Sequence, residues 1–193
     1  MNELSNAKSL GVVGALLSLI GIFLPSFGIF LALVGFILIL VAVKNISEVT
    51  KDKTIFNNFL YAFILEIIAF VVALIIVLFV FQSVGGISYF TELQNMAYTN
   101  PGEIIDYLMP FILGALAAFI ILCFIMIISA IFYKKCFDKI GEKTNVKWFS
   151  TTGLLFLIGA ATLIIIIGFF ILIIALIFQI IAFFSLPETL PKK

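Results

Sequence analysis

The chain has 193 residues, 64% hydrophobic and 11% charged, with a formal net charge of +1 and a mean hydropathy of +1.35. Soluble globular chains are about 45–50% apolar and about 25% charged, and a core this small leaves much surface exposed. These values exclude a secreted, disordered or water-soluble product and predict an integral membrane protein.

The inventory excludes specific chemistries. There is no His, which removes a Ser-His-Asp triad and a His metal site. Every basic residue is Lys, so bidentate Arg recognition of phosphate or carboxylate is absent. Short, thin Lys clusters give nucleic acid no footprint. Cys123 sits in an apolar run and Cys136 in a Lys-rich loop, at different predicted depths, so no disulfide is expected.

Charge-free stretches run 9–43, 67–91, 107–133 and 148–187. A spanning helix needs about 20 apolar residues, so the second and third are one span each. As one helix the first would reach about 52 Å, well beyond a core of about 30 Å. Leu24-Pro25-Ser26-Phe27-Gly28 breaks it, because Pro excludes the preceding residue from the α region. Two short helices, 9–24 and 28–43, are predicted as a hairpin. The stretch 148–187 is also too long for one span and is divided near Ile166–Gly168. Between the hairpins, 55–65 is apolar with Asn57-Asn58, an interfacial stub ahead of a span at 67–86. Asn100-Pro101-Gly102-Glu103 reads as an N-cap, a first-turn Pro and an N3 acid. Pro110 would then kink the following helix or divide a turn from the span.

The predicted fold is all-α: a polytopic transmembrane bundle of six helices, two short hairpins flanking two central spans. It forms one integral membrane domain, 1–193. Lys residues fall at 8; 44, 51, 53; 134, 135, 139, 143, 147; and 192, 193. With six spans all land on one side, in loops 44–58 and 134–147 and at the termini. The segment 82–107 carries Glu92, Glu103 and Asp106 and no Lys. The positive-inside rule places both termini in the cytoplasm, 82–107 outside and the chain in the cell membrane. Two re-entrant hairpins beside two full spans would give the same sidedness. No cleavable signal peptide is expected. Trp148 with Tyr133, and Tyr107 opposite, suit interfacial belts.

The hairpins resemble each other. Asn6-Ala7-Lys8 precedes the first and Asn145-Val146-Lys147 the last. At an offset of 139, Gly14 meets Gly153; at 140, Gly28, Gly35 and Ala42 meet Gly168, Ala175 and Ala182. Gly11, Gly14, Ser18 and Gly21 form a small-residue stripe in the first helix. Such stripes let helices pack closely. A pseudo-symmetric bundle and chance similarity between Leu/Ile/Phe/Gly-rich helices both account for the match.

Leu4-Ser5-Asn6-Ala7-Lys8 with Gly11 and Gly14, the Pro/Gly-broken hairpin, Ile55-Phe56-Asn57-Asn58 and Tyr61 together resemble a family of mainly archaeal multi-pass membrane proteins, catalogued only as a domain of unknown function. The resemblance covers roughly 4–185. It implies an archaeal cell membrane and no activity, substrate or catalytic residue.

Glu66 is the one acid deep in an apolar run. Intramembrane acids are costly and often functional. From a span starting at Phe59, Glu66 lies about 10 Å in. There it would be protonated, bind a cation or pair with Gln179. From a span starting at Ile67 it is interfacial. Glu92, Glu103 and Asp106 either concentrate cations at an outer mouth or occupy a solvated loop. The five Lys of 134–147 bind anionic headgroups or simply anchor the topology. Gln82, Gln179, Ser129 and Cys123 line a pathway or stitch helices together. No cofactor or metal is expected. The expected partners are the lipid bilayer and either a second copy or another membrane protein. Two functions compete: non-enzymatic assembly, favoured by the small-residue stripes and the lack of catalytic groups, and a small channel or carrier using Glu66. Lacking a second intramembrane acid for acid–base work, the chain is not expected to be an enzyme.

Overall fold

The computed structural model describes residues 4–99, 101–165 and 167–190, and among these all regular structure is helical. The helices are α1 (Ser5–Phe23), α2 (Gly28–Val49), α3 (Lys53–Ser83), α4 (Ile87–Thr99), α5 (Ile104–Thr144), α6 (Lys147–Ala161) and α7 (Ile167–Phe184). Five of them, α1, α2, α3, α5 and α7, are long and apolar enough to cross a membrane. At 15 residues, α6 is about 22 Å long, and a 3₁₀ turn at Leu163–Ile165 follows it.

Each break has a local cause. Leu24, forced out of the α region by Pro25, is extended at φ −105°, ψ 109°. The Gly28 N–H then closes the turn on the Leu24 carbonyl at 3.0 Å. The second hairpin breaks without proline. The Thr162 hydroxyl donates back to the Ile158 carbonyl at 2.7 Å, a bond that competes with the helix. The Thr162 carbonyl accepts from the Gly168 N–H at 3.1 Å. The division expected near Ile166–Gly168 is therefore made just ahead of it; Ile166 lies outside the described residues.

The loops expected at 44–58 and 134–147 are mostly helix. Only 50–52 separates α2 from α3, and α5 continues to Thr144. Tyr133, Cys136, Phe137, Ile140 and Thr144 are buried at helical spacing, while Lys134 pairs with Asp138 one turn on. That stripe extends α5 through the lysines, and it buries Cys136 rather than leaving it in a loop. Tyr133, expected at an interface, is 4% exposed because it completes an aromatic cluster, 5.1 Å from the Phe59 ring and 5.5 Å from Phe137. The helix count is seven instead of six because the segment 82–107 folds α4. Gly85 and Gly86 supply its entry at φ +108° and +63°, which L side chains rarely adopt. Asn100, the expected cap, lies outside the described residues; Pro101–Glu103 forms a 3₁₀ turn. Pro110 lies inside α5, which runs through it.

The chain forms two compact units, 1–65 with 127–193, and 66–126. In the first, α1 packs on α2 and α7, and α6 on α7. One core cluster joins Leu4, Ile46, Ile55, Phe59, Phe137, Ile140, Phe149, Phe183 and Leu186. The chain ends are tied together: Leu4 N–H donates to the Glu188 carbonyl and Lys8 Nζ to the Leu186 carbonyl, both at 3.1 Å. Lys139 reaches Thr54, and Lys143 lies 4.0 Å from Asp52. The lysines near the ends of α1, α2, α3 and α5 therefore gather at one end of this unit. In the second unit Tyr89 stacks on Tyr107 at 4.6 Å, and its hydroxyl donates to the Tyr107 carbonyl at 2.8 Å. Tyr107 in turn donates to Glu92. Ala69, Ala118 and Cys123 are buried there.

The α2–α3 turn is a Schellman-type end. Asp52 N–H bonds the Ser47 carbonyl at 3.1 Å across Lys51, held at φ +54°. Asp52 then caps α3, its Oδ1 accepting from the Thr54 N–H at 3.0 Å and from the Thr54 hydroxyl. The Thr54 hydroxyl above all, then its N–H and Lys139 and Lys143, hold the Asp52 carboxyl below the usual carboxylate range against the opposing effect of burial. A carboxyl with a lowered folded pKa stabilises above its unfolded pKa and loses that stabilisation as pH falls through the folded one. Asp52→Ala should thus cost about 1 kcal/mol at neutral pH. The gap to the parent should narrow below about pH 4, read by thermal unfolding in detergent across pH. A second prediction concerns Lys51: a non-glycine residue in the left-handed region costs about 1–2 kcal/mol, so Lys51→Gly should raise the apparent Tm.

Candidate functional site

The small residues singled out in the sequence are helix contacts, and they divide between two partners. A Cβ built on Gly14 would lie 2.6 Å from the Gly35 carbonyl oxygen, and one on Gly35 would lie 2.5 Å from that of Gly14. Gly21 and Gly28 form a second such pair nearer the turn, at 2.6 and 2.0 Å. Ser18 lies between them, its hydroxyl donating to the Gly14 carbonyl at 3.0 Å. This close approach holds α1 against α2. Gly11 faces elsewhere: its Cβ would enter the Phe183 ring on α7.

The second hairpin reuses one of these contacts. A Cβ on Gly168 would lie 2.2 Å from the Gly159 carbonyl oxygen, so Gly168 takes the place that Gly28 takes at Gly21. Ala175, Ala42 and Ala182 are each fully buried. Gly14 and Gly153 are not equivalent, because a Cβ on Gly153 would lie 3.0 Å from the Lys134 Cα of α5.

The two residues of the expected polar site belong to different compact units. Glu66 belongs to the second unit and Gln179 to the first. Glu66 is half-buried and lines a cavity of about 240 Å³ with Ala69, Phe70, Leu122 and Met126. It lies 13 residues beyond Lys53 on an unbroken helix, about 20 Å along the axis. The uninterrupted α3 was not visible in the sequence, where Asn57-Asn58 suggested a stub. Gln179 is 1% exposed, and its Nε2 has no hydrogen-bond partner among the described residues. Ser129 does stitch helices: its hydroxyl donates to the Ala62 carbonyl at 3.1 Å. Both cysteines are free and buried.

Sequence reasoning did not single out two further clusters. One is a cavity of about 320 Å³ lined by Ser83, Val84, Tyr89, Asp106, Tyr107 and Pro110. The other, of about 210 Å³, is lined by Lys44, Ser47, Glu48, Lys53, Phe56 and Asn57. The signal for the second was Lys44 and Lys53 flanking the polar stretch 45–52, which read as a loop. Among the described residues no three His, Cys, Asp or Glu side chains gather to hold a metal ion.

Comparison with known proteins now decides the family. A model described as "Protein of unknown function (DUF996)" matches residues 31–177. The chain belongs to this family. The DUF996 match includes Glu66, most of α2, the second hairpin as far as residue 177 and the 210 Å³ cavity; α1 and the Leu4–Lys8 motif precede it. The chain is also 34% identical over 191 residues to "Uncharacterized protein MJ1644" of Methanocaldococcus jannaschii, covering 99% of this chain and 97% of that one. No solved structure matches the chain significantly.

Two substitutions test this packing. Gly28→Val places a branched side chain against a carbonyl that cannot withdraw without opening the hairpin. Overpacking of this kind costs about 1–3 kcal/mol, so the apparent Tm should drop. Gly102→Val, with open space around it, should leave it unchanged. Gln179→Met keeps the volume and removes the orphaned amide, and should raise stability by about 1 kcal/mol or more. A drop instead would mean that the amide is bonded in the membrane.

Proposed function

We propose that this DUF996 chain is a polytopic protein of the cell membrane, with both termini in the cytoplasm, that acts without catalysis by assembling with further copies of itself. The observation that carries this reading is the exposure of the second unit. In their most apolar stretches α3 and α5 are only 6% and 11% buried, against 28% for α1, α2 and α7. Gly114 and Ala118, one turn apart, are used within the unit, Gly114 against Val80. Ala115 on the same helix stays exposed, a small residue that another helix can approach closely.

The sidedness rests on the gathered lysine end described above and on the positive-inside rule. The absence of catalysis rests on the inventory, which has no His and one acid within the long apolar runs.

The test is mass and cross-linking in lipid nanodiscs. A defined dimer or larger assembly is expected, with Ala115→Cys forming a disulfide between copies in a background lacking Cys123 and Cys136. A strictly monomeric protein would contradict the reading.

The Glu66 cavity favours a second reading, a carrier or channel for a cation or small solute. It predicts flux in proteoliposomes that Glu66→Gln abolishes. It also predicts that Glu66→Cys reacts slowly with impermeant thiol reagents and is protected by the transported cation. Fast labelling from one side alone would make Glu66 an interfacial residue.

A further inference from the structure

The 210 Å³ cavity lies where the last turns of α2 meet the first turn of α3. Lys44 and Lys53 bring two ammonium groups to it and Asn57 an amide, over the half-buried Phe56 ring; Ser47 also lines it, its hydroxyl already donated to the Asp52 carbonyl at 2.8 Å. Glu48 lines the same space and lies 3.9 Å from Lys44. Lys53 forms no ion pair among the described residues. The cavity therefore carries one net positive charge and several donors suited to a phosphate oxyanion.

A lipid is favoured over a free anion by what adjoins the cavity. On α2, Phe30, Val34, Ile37 and Val41 are exposed at alternating four- and three-residue spacing, and Lys44 continues the series. On α3, Ile64 is exposed seven residues beyond Asn57. Residues three, four and seven apart share a helix face. An apolar track therefore leads away from the cationic cavity along α2.

We propose that this cavity holds the phosphate headgroup of an anionic phospholipid, with one of its two chains lying along the Phe30–Val41 face of α2. Specific capture here differs from general attraction to a basic surface, because only Lys44 and Lys53 of the gathered lysines line the cavity. The proposal rests on the lysine end lying at a membrane surface, and it is independent of self-association.

The test is native mass spectrometry of the full chain in neutral detergent, titrated with phosphatidylglycerol or phosphatidylcholine. Each basic residue near a charged headgroup contributes enough for roughly a fivefold change in binding. The parent should prefer phosphatidylglycerol by about fivefold or more. Lys44→Gln with Lys53→Gln should abolish that preference, whereas Lys135→Gln with Lys147→Gln, the same loss of charge outside the cavity, should keep it. Glu48→Gln should tighten binding several-fold, a gain that misfolding cannot produce. Equal losses in the two lysine pairs, or no preference in the parent, would overturn the proposal. Displacement of the lipid by millimolar inorganic phosphate would assign the site to a free anion and would also overturn it.

Discussion

Within a bilayer, an apolar helix gains nothing by exchanging lipid for a neighbouring Leu, so helix pairs are held by the closeness of contact. In the first unit that closeness comes from facing glycines. Gly14 meets Gly35, Gly21 meets Gly28 and Gly168 meets Gly159, each with a carbonyl oxygen where a side chain would begin. The other features of this unit depend on these contacts. They set α1 on α2, they leave Gly11 free to accept the Phe183 ring, and they bring the ends of α1 and α7 together, where Leu4 and Glu188 share a hydrogen bond. The aromatic cluster around Tyr133 then fills the space that the hairpins enclose with α3 and α5.

Much of this was legible in the residues. Leu24-Pro25 marked the first hairpin because proline restricts its predecessor wherever it occurs. The second hairpin, with no proline, was placed by length alone, and its break is made by a Thr162 back-bond that composition does not reveal. The glycine stripe was visible, but not that Gly11 and Gly14 serve different helices. That distinction depends on which partner stands opposite, a property of tertiary packing. The largest departures came from reading charge as loop. Lys134 to Lys143 looked like a solvated connection, yet Tyr133, Cys136, Phe137 and Ile140 among them keep helical spacing and enter the core. The same emphasis on charge concealed the cavity at Lys44 and Lys53, whose residues lie on two helices joined by a three-residue turn.

The similarity of the hairpins is partly real in contact terms. Gly28 and Gly168 each open the second helix of a hairpin against a glycine carbonyl of the first. Gly14 and Gly153 do not correspond. The shared feature is therefore a way of closing a helical hairpin at its tip, which both halves use with different turns: one built on Pro25, the other on Thr162.

The two units of the DUF996 chain differ in how they are packed. The first unit is closely packed and holds the lysines together at one end; the second leaves the apolar stretches of its helices largely exposed, the surface on which the proposed self-association rests. The proposed topology requires the hairpin tips and the lysine end to face opposite sides of the bilayer. Impermeant thiol labelling of sealed, oriented vesicles tests this directly, using Ser26→Cys at a tip and Glu48→Cys at the lysine end in a chain lacking Cys123 and Cys136. The account predicts that Glu48→Cys labels only from the cytoplasmic side and Ser26→Cys only from the other. Labelling of both from the same side would contradict it.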